Sequence, residues 1–266
     1  MIKINNEIHL IIFCEAKYRR FFLDSCVLSI KNNIKDKIVS KTIISNEIFE
    51  YPEFDVIHDD EIWKIIDPES KFKESVIYTE NWLKQQIIKL FCDKIKSGNI
   101  LVVDVDLFFI KPITLIENNK YNFFMALEHC EKFFETSKFL IDVDKIAEKS
   151  FISDFLLFND KVLQEIRTKI HNKFNRNIIE VLDDYTKNFN FYKNILSEYE
   201  LYGNYLLKHH PYLINKMIDP VDYKMWIFLG AYFNPKNIKD LINNPENFLE
   251  FVKSKSNNYY QSIFLR

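Results

Sequence analysis

Short apolar runs that alternate with helix-like stretches constrain the first half of this chain more than any other feature. IHLIIFC occupies residues 8–14, KTIIS 41–45 and FDVIH 54–58, and a helical pattern around 18–33 separates the first two. Such alternation marks βαβ units around a mostly parallel sheet, whose apolar faces need helices to cover them. A longer helix is predicted over about 80–97, where Leu83, Ile87, Leu90, Phe91 and Ile95 recur at helical spacing. Thr79 would cap its start and Gly98 its end. A strand follows from about Ile100, and NFFMALEH at 122–129 predicts another. After about residue 150 the pattern becomes mainly helical, in FLLFNDKVLQEIRTKI, NRNIIEVLDDYTKNF and SEYELYGNYLLKHHP, before a short apolar segment, MWIFLGAYF. No repeat, linker or low-complexity tract divides the chain, so one α/β domain with a helix-rich C-terminal half is expected.

Composition removes several function classes. The three glycines, Gly98, Gly203 and Gly230, are too far apart for a G-x-G-x-x-G fingerprint or a Walker phosphate loop. A net charge of −2 over 266 residues, with acids and lysines interspersed, lacks the basic footprint of a nucleic-acid binder. Cys14, Cys26, Cys92 and Cys130 are widely spaced, which fits buried reduced thiols better than a zinc site or a disulfide frame. The N-terminal MIKINNEIHLIIFCEAKYRR reads as a first strand, not a signal peptide. No stretch approaches the roughly 20 apolar residues that cross a bilayer. A cytoplasmic protein is expected, at most peripheral to the inner face of a membrane.

Residues 99–112, NILVVDVDLFFIKP, set two aspartates into what otherwise reads as a buried strand. Burying an unpaired charge is costly, so these carboxylates need a partner. In extended backbone residues i and i+2 point to the same side, so Asp104 and Asp106 could converge at a strand end. Converging carboxylates repel unless a cation lies between them, and hard oxygen ligands suit Mg²⁺ or Mn²⁺, commonly shared with substrate phosphates. A second Asp-Val-Asp, at 142–144, precedes a short amphipathic stretch and reads as a helix start, so Asp142 and Asp144 are taken as structural.

The stretch from Ile100 to Pro112 resembles the D-x-D motif of nucleotide-sugar glycosyltransferases of the GT-A fold. The chain is also similar to bacterial glycosyltransferase-like proteins of surface-glycan synthesis, which carry stretches like WLKQQIIKL before the motif and SEYELYGNYLL after it. The resemblance implies one GT-A-like domain over 1–266, with 1–130 as the nucleotide-sugar-binding half and 131–266 as a mainly helical, acceptor-side half. It also implies a nucleoside-diphosphate sugar donor, a glycan, lipid-linked or other hydroxyl acceptor, and Mn²⁺ or Mg²⁺ as cofactor. Asp106 would bind the metal, and Asp104 the metal or the ribose. The ion would neutralise charge developing on the departing diphosphate.

Trp82, Gln85, Gln86 and Lys89 share one face of the predicted helix, and in the resembling enzymes that helix borders the donor pocket. Lys89 could meet phosphate charge, and the amides sugar hydroxyls or the diphosphate. The same residues also suit a core tryptophan and solvated polar groups. An inverting transferase needs a base near the acceptor hydroxyl. Ser197 and Glu200 match a capping box, which leaves Glu198 as the candidate base. Asp154 is the second candidate, because the resembling proteins have a polar position there. His209 and His210 could add a metal ligand or cap a helix. Ligands of open α/β sheets bind beyond strand C-termini, which selects Phe13, Cys14, Glu15, Ser45 and Asn46, where GT-A enzymes hold the base.

Two other readings remain at this level. Asp-nucleophile phosphatases also carry D-x-D after an apolar strand, although theirs usually continues into a small and hydroxyl pair, whereas Leu107 and Phe108 follow here. A non-catalytic binding protein on a GT-A scaffold would carry the same motifs.

Overall fold

The computed structural model describes residues 2–109, 111–187 and 195–218; MWIFLGAYF lies outside them. The chain opens with β1 (Glu7–Phe13), α1 (Ala16–Tyr18), a π-helical turn (Arg19–Leu23), α2 (Asp24–Asn33), β2 (Lys37–Ser45) and β3 (Asp55–His58). Next come α3 (Asp59–Ile66), α4 (Val76–Thr79), α5 (Asn81–Leu90), a 3₁₀ turn (Cys92–Lys94) and β4 (Asn99–Asp104). Then follow β5 (Ile116–Glu117), β6 (Lys120–Phe124), α6 (Glu131–Ile141), β7 (Phe155–Asn159) and α7 (Asp160–Phe174). The described elements end with α8 (Ile178–Thr186), α9 (Glu198–His209), a 3₁₀ turn (Pro211–Leu213) and β8 (Ile214–Ile218). None of the described helices is long and apolar enough to cross a membrane.

The main sheet has the order β3-β2-β1-β4-β7, parallel except for the β4–β7 pair, and helices flank it. A small second sheet has the order β5-β6-β8. Ile100, Leu101, Val102 and Val103 of β4 are all fully buried, so both faces of the strand are covered. Each such side chain stabilises the fold by about 2 kcal/mol, an upper figure. A one-residue slip of β4 would draw Asn99 or Asp104 into this apolar run, so the polar residues at its two ends hold the register that delivers Asp104 to the sheet's edge. At the other end of β4, Asn99 donates to the Asn5 and Glu7 carbonyls at 2.8 and 3.1 Å, and its side-chain oxygen accepts from the Tyr121 hydroxyl at 2.6 Å. Asn159 in turn donates to Tyr121 at 3.0 Å.

The strands in the first half form where apolar alternation predicts them, but several details differ. The helix predicted over 80–97 ends at Leu90, where Phe91 leaves helical geometry at φ −116° and ψ 13°. There Arg167 of α7 donates to the Leu90 carbonyl and pairs with Asp93 at 2.6 Å, a cap supplied from far along the chain. Thr79 belongs to α4 and donates to Ser75, so it does not cap α5. Gly98, at φ 94°, shapes the turn into β4 instead of closing the helix.

FLLFN, read above as the start of a helix, is β7, fully buried and antiparallel to β4 from Asn99↔Asn159 to Val103↔Phe155. A short continuous apolar run has no periodicity that separates a buried strand from a buried helix, and here the free edge of β4 decides. The second Asp-Val-Asp lies at a helix end, not a start: Asp142 closes α6 in left-handed conformation at φ 55°. Asp142 and Asp144 pair with Lys173 and Lys138 at 2.6 and 2.7 Å.

Candidate active site

The strand order reverses at β1, which has β2 on one side and β4 on the other, so the crevice beyond β1 and β4 is a topological switch point. Asp104 ends β4 opposite Phe13, the last residue of β1, and the Val105 N–H donates to the Phe13 carbonyl at 3.1 Å. The chain then turns, with the Leu107 N–H donating to the Asp104 carbonyl at 3.0 Å. Val105 is buried whereas Asp104 and Asp106 are half-buried, so the turn keeps both carboxylates at the crevice.

Asp154 joins them from the start of β7. Its carbonyl accepts the Asp104 N–H at 3.0 Å, and its own backbone is left-handed, at φ 60°. Aspartate tolerates that conformation better than most residues, at a cost of about 1 kcal/mol. Burial, then the Asp104 charge, pushes the Asp106 carboxyl up to about 6. Burial, then the charges of Asp104 and Asp106, pushes Asp154 up to about 8. Glu128, on the segment after β6, adds to the same negative field and is itself raised by burial. Among the described residues, no side chain donates to or ion-pairs with Asp106 or Asp154. One ammonium, Lys89 on Asp104, acts on the set and leaves it net negative. The three do not bring ligand atoms within 4.8 Å of one another, so a hard divalent ion would be held by one or two of them, with water or phosphate oxygens completing the shell.

The polar face of α5 is turned inward. Gln85 donates to Asp104 Oδ1 at 3.0 Å, and Lys89 Nζ lies 3.0 Å from both Asp104 oxygens. Lys89 is also 3.0 Å from Glu198 Oε1 and donates to the Tyr199 hydroxyl at 3.1 Å. Gln86, with its amide nitrogen facing the carboxylate, donates to Glu198. Burial alone would lower the Lys89 pKa, but the charges of Asp104 and Glu198 outweigh it and hold the ammonium above the ordinary lysine value. Burial pushes Glu198 up to about 7 against the pull of Lys89.

Lys89, expected to meet phosphate, is therefore enclosed, and Glu198, expected to face an acceptor, is fully buried beneath it. Ser197 caps α9 as its motif suggests, at 3.3 Å from the Glu200 N–H, but the Glu200 side chain accepts from Phe151 and Asn204 instead of closing the box. Trp82 is 40% exposed and stacks on Phe133, away from the Gln85 pocket.

That pocket opens beyond the ends of β1 and β2 as a shallow hollow of about 50 Å³. Phe13, Cys14, Glu15, Ser45 and Asn46 all line it, as the rule for open sheets selects, together with Asp59 and Gln85. Burial pushes the Cys14 thiol up to about 12, so it lines the wall as a neutral group.

A second polar group borders this pocket and was missed in the sequence. His58, Asp59 and Asp60 bring three ligand atoms within 4.8 Å of one another, the only such triad among the described residues. Lys84 Nζ sits 2.9 Å from Asp59 and 2.7 Å from Asp60, so an ammonium already balances it. Asp59 Oδ1 is buried without a hydrogen-bond partner. The sequence signal, HDDE after a strand, reads equally as a helix start, which it also is: His58 Nδ1 accepts the Asp60 N–H. His210 pairs with Glu165 at 2.6 Å and His209 packs at a tilt against Tyr205, so neither joins the carboxylates.

No curated protein matches the chain. One family model does, over residues 22–222, a span that includes Lys89, Asp104, Asp106, Asp154 and Glu198, and its description assigns no function.

Proposed function

The chain belongs to that family, DUF6492, a family of unknown function, and we propose that it is a metal-dependent glycosyltransferase of GT-A type. It would transfer a sugar from a nucleoside-diphosphate donor to a hydroxyl acceptor on a glycan or lipid-linked carrier. The observation that carries this reading is that Asp104, Asp106 and Asp154 lie near enough at a switch-point crevice for the Asp104 charge to raise the other two, with no described cation in contact with those two, beside a pocket at the ends of β1 and β2.

The nucleoside would lie against the mouth of that pocket, over Phe13, Cys14, Ser45 and Asn46. Asp106 would hold Mn²⁺ or Mg²⁺, with Asp154 within reach of the same charge. When bound, the ion neutralises charge that develops on the departing diphosphate. Gln85 keeps Asp104 oriented toward the crevice. Once a bound cation offsets the charges that keep it protonated, Asp154 replaces Glu198 as the better candidate to accept the proton of the acceptor hydroxyl, because Asp154 is half-buried whereas Glu198 is sealed from the crevice. The phosphatase reading is weaker, because Gln85 and Lys89 already engage the Asp104 carboxylate that would have to attack phosphorus.

The test is a thermal-shift and calorimetric screen of UDP, GDP and CMP with and without Mn²⁺. The reading requires that at least one nucleotide binds only with the ion, and that Asp106→Ala abolishes that binding. Failure of all three nucleotides to bind in Mn²⁺ would overturn it.

A further inference from the structure

We propose that Lys89 and Glu198 are positioning residues: Glu198 holds the Lys89 ammonium beneath Asp104, and Lys89 fixes the plane of the Asp104 carboxylate at the crevice. The proposal rests on the glycosyltransferase reading of that crevice.

An ammonium has three N–H groups, and Lys89 has three partners for them: Asp104, Glu198 and the Tyr199 hydroxyl. The side chain is 1% exposed and lies 4.5 Å from the Tyr199 ring and 5.6 Å from the Phe13 ring. No donor remains for a substrate phosphate, and solvent has no approach. Glu198 is equally enclosed, with one side on Lys89 and the other on Gln86, so it cannot touch an acceptor hydroxyl. The trio joins three separate parts of the fold, α5, the end of β4 and the start of α9.

Stability alone does not account for it. A buried ion pair gives little net stability relative to a well-packed apolar set, since desolvation offsets most of the attraction. What the arrangement provides is a carboxylate whose inner side carries a permanent positive charge. Asp104 is thereby a weaker ligand for a divalent ion than Asp106, which Lys89 reaches only at a distance and does not touch. Loss of the ammonium should free Asp104 to bind the ion too tightly and in a different orientation.

The double variant Lys89→Met with Glu198→Gln removes one charge of each sign and keeps side-chain volume. Calorimetry with Mn²⁺ alone, at fixed pH, should show binding about fivefold tighter than in the unaltered protein, because the ammonium removed touches Asp104 directly whereas the carboxylate removed with it touches Lys89 and not Asp104. Unchanged Mn²⁺ affinity in a folded double variant would overturn the positioning role while leaving the glycosyltransferase reading intact. If the unaltered protein bound no Mn²⁺, that reading would fail and this proposal with it.

Should the double variant not fold, Glu198→Gln alone serves, since the Gln86 amide can rotate to accept from the new amide. With Glu198 neutral, Lys89 bears more fully on Asp104, and Mn²⁺ binding should weaken about threefold. Unchanged Mn²⁺ affinity in that variant would equally overturn the proposal.

Discussion

The backbone N–H of Asp104 donates to the carbonyl of Asp154 at 3.0 Å, one residue beyond the last paired position of β4 and β7. This bond continues the antiparallel ladder past Val103↔Phe155 and sets two acidic residues, 50 positions apart in sequence, side by side at the sheet's edge. It also explains why Asp154 tolerates a left-handed backbone, since the strand must turn sharply there to keep its carbonyl on Asp104.

The raised carboxyls make stability depend on pH. Asp106 and Asp154 hold protons in the folded state up to about 6 and 8, whereas their ordinary value is 3.8. The folded state binds more protons, so their contribution is full below about pH 4 and is lost as pH rises through 6 and then 8. Without metal, Tm should fall between pH 5 and 9. Asp154→Asn should flatten the decline and raise Tm at pH 8 by about 3 °C or more. A pH series of thermal melts checks this, and added Mn²⁺ should restore Tm at the alkaline end in the unaltered protein.

Asp106→Asn should leave the fold intact, since no described side chain depends on that carboxylate for a hydrogen bond. If Asp106 holds the ion as proposed, nucleotide binding in Mn²⁺ should weaken at least about 100-fold. Calorimetry on a variant whose circular dichroism matches the unaltered protein measures it.

Tyr121→Phe tests the other end of β4. It leaves Asn99 Oδ1 and one Asn159 N–H without the hydroxyl that now bridges them, in a fully buried place. Unfolding should become easier by about 2 kcal/mol, seen as a lower urea midpoint at unchanged slope. Mn²⁺ affinity should stay the same, because the network lies at the far end of the strand.

Gly203→Ala probes the seat of α9. A methyl group there would lie 2.3 Å from the Phe151 ring, and Phe151 is fully buried, so the helix must shift. A loss of about 3 kcal/mol is expected. Because α9 carries Glu198 and Tyr199, the variant should also weaken Mn²⁺-dependent nucleotide binding, whereas Tyr121→Phe should not.

Much of this arrangement is legible along the chain. Apolar runs delimit β1 to β4, the Asp-Val-Asp at 104–106 ends a buried strand, and the residues after β1 and β2 line one pocket. These features follow from local rules: side-chain alternation, charge at a strand end, and the placement of ligands beyond parallel strands. The identical Asp-Val-Asp at 142–144 shows their limit. Its aspartates pair with lysines on the surface, because they follow a helix instead of a buried strand.

The sequence by itself therefore determined which carboxylate pair ends a buried strand and which helix stands beside it, since both depend on neighbours within a few residues. Only the tertiary structure decided that FLLFN is a strand, that Asp154 meets Asp104, and that Lys89 faces inward to Glu198 and not outward to a ligand. Lys89 and Tyr199 are 110 residues apart, and an ammonium reads the same in sequence whether water or three buried oxygens will surround it. Its surroundings depend on which elements pack together, and that is fixed by the burial of apolar faces from the whole chain at once.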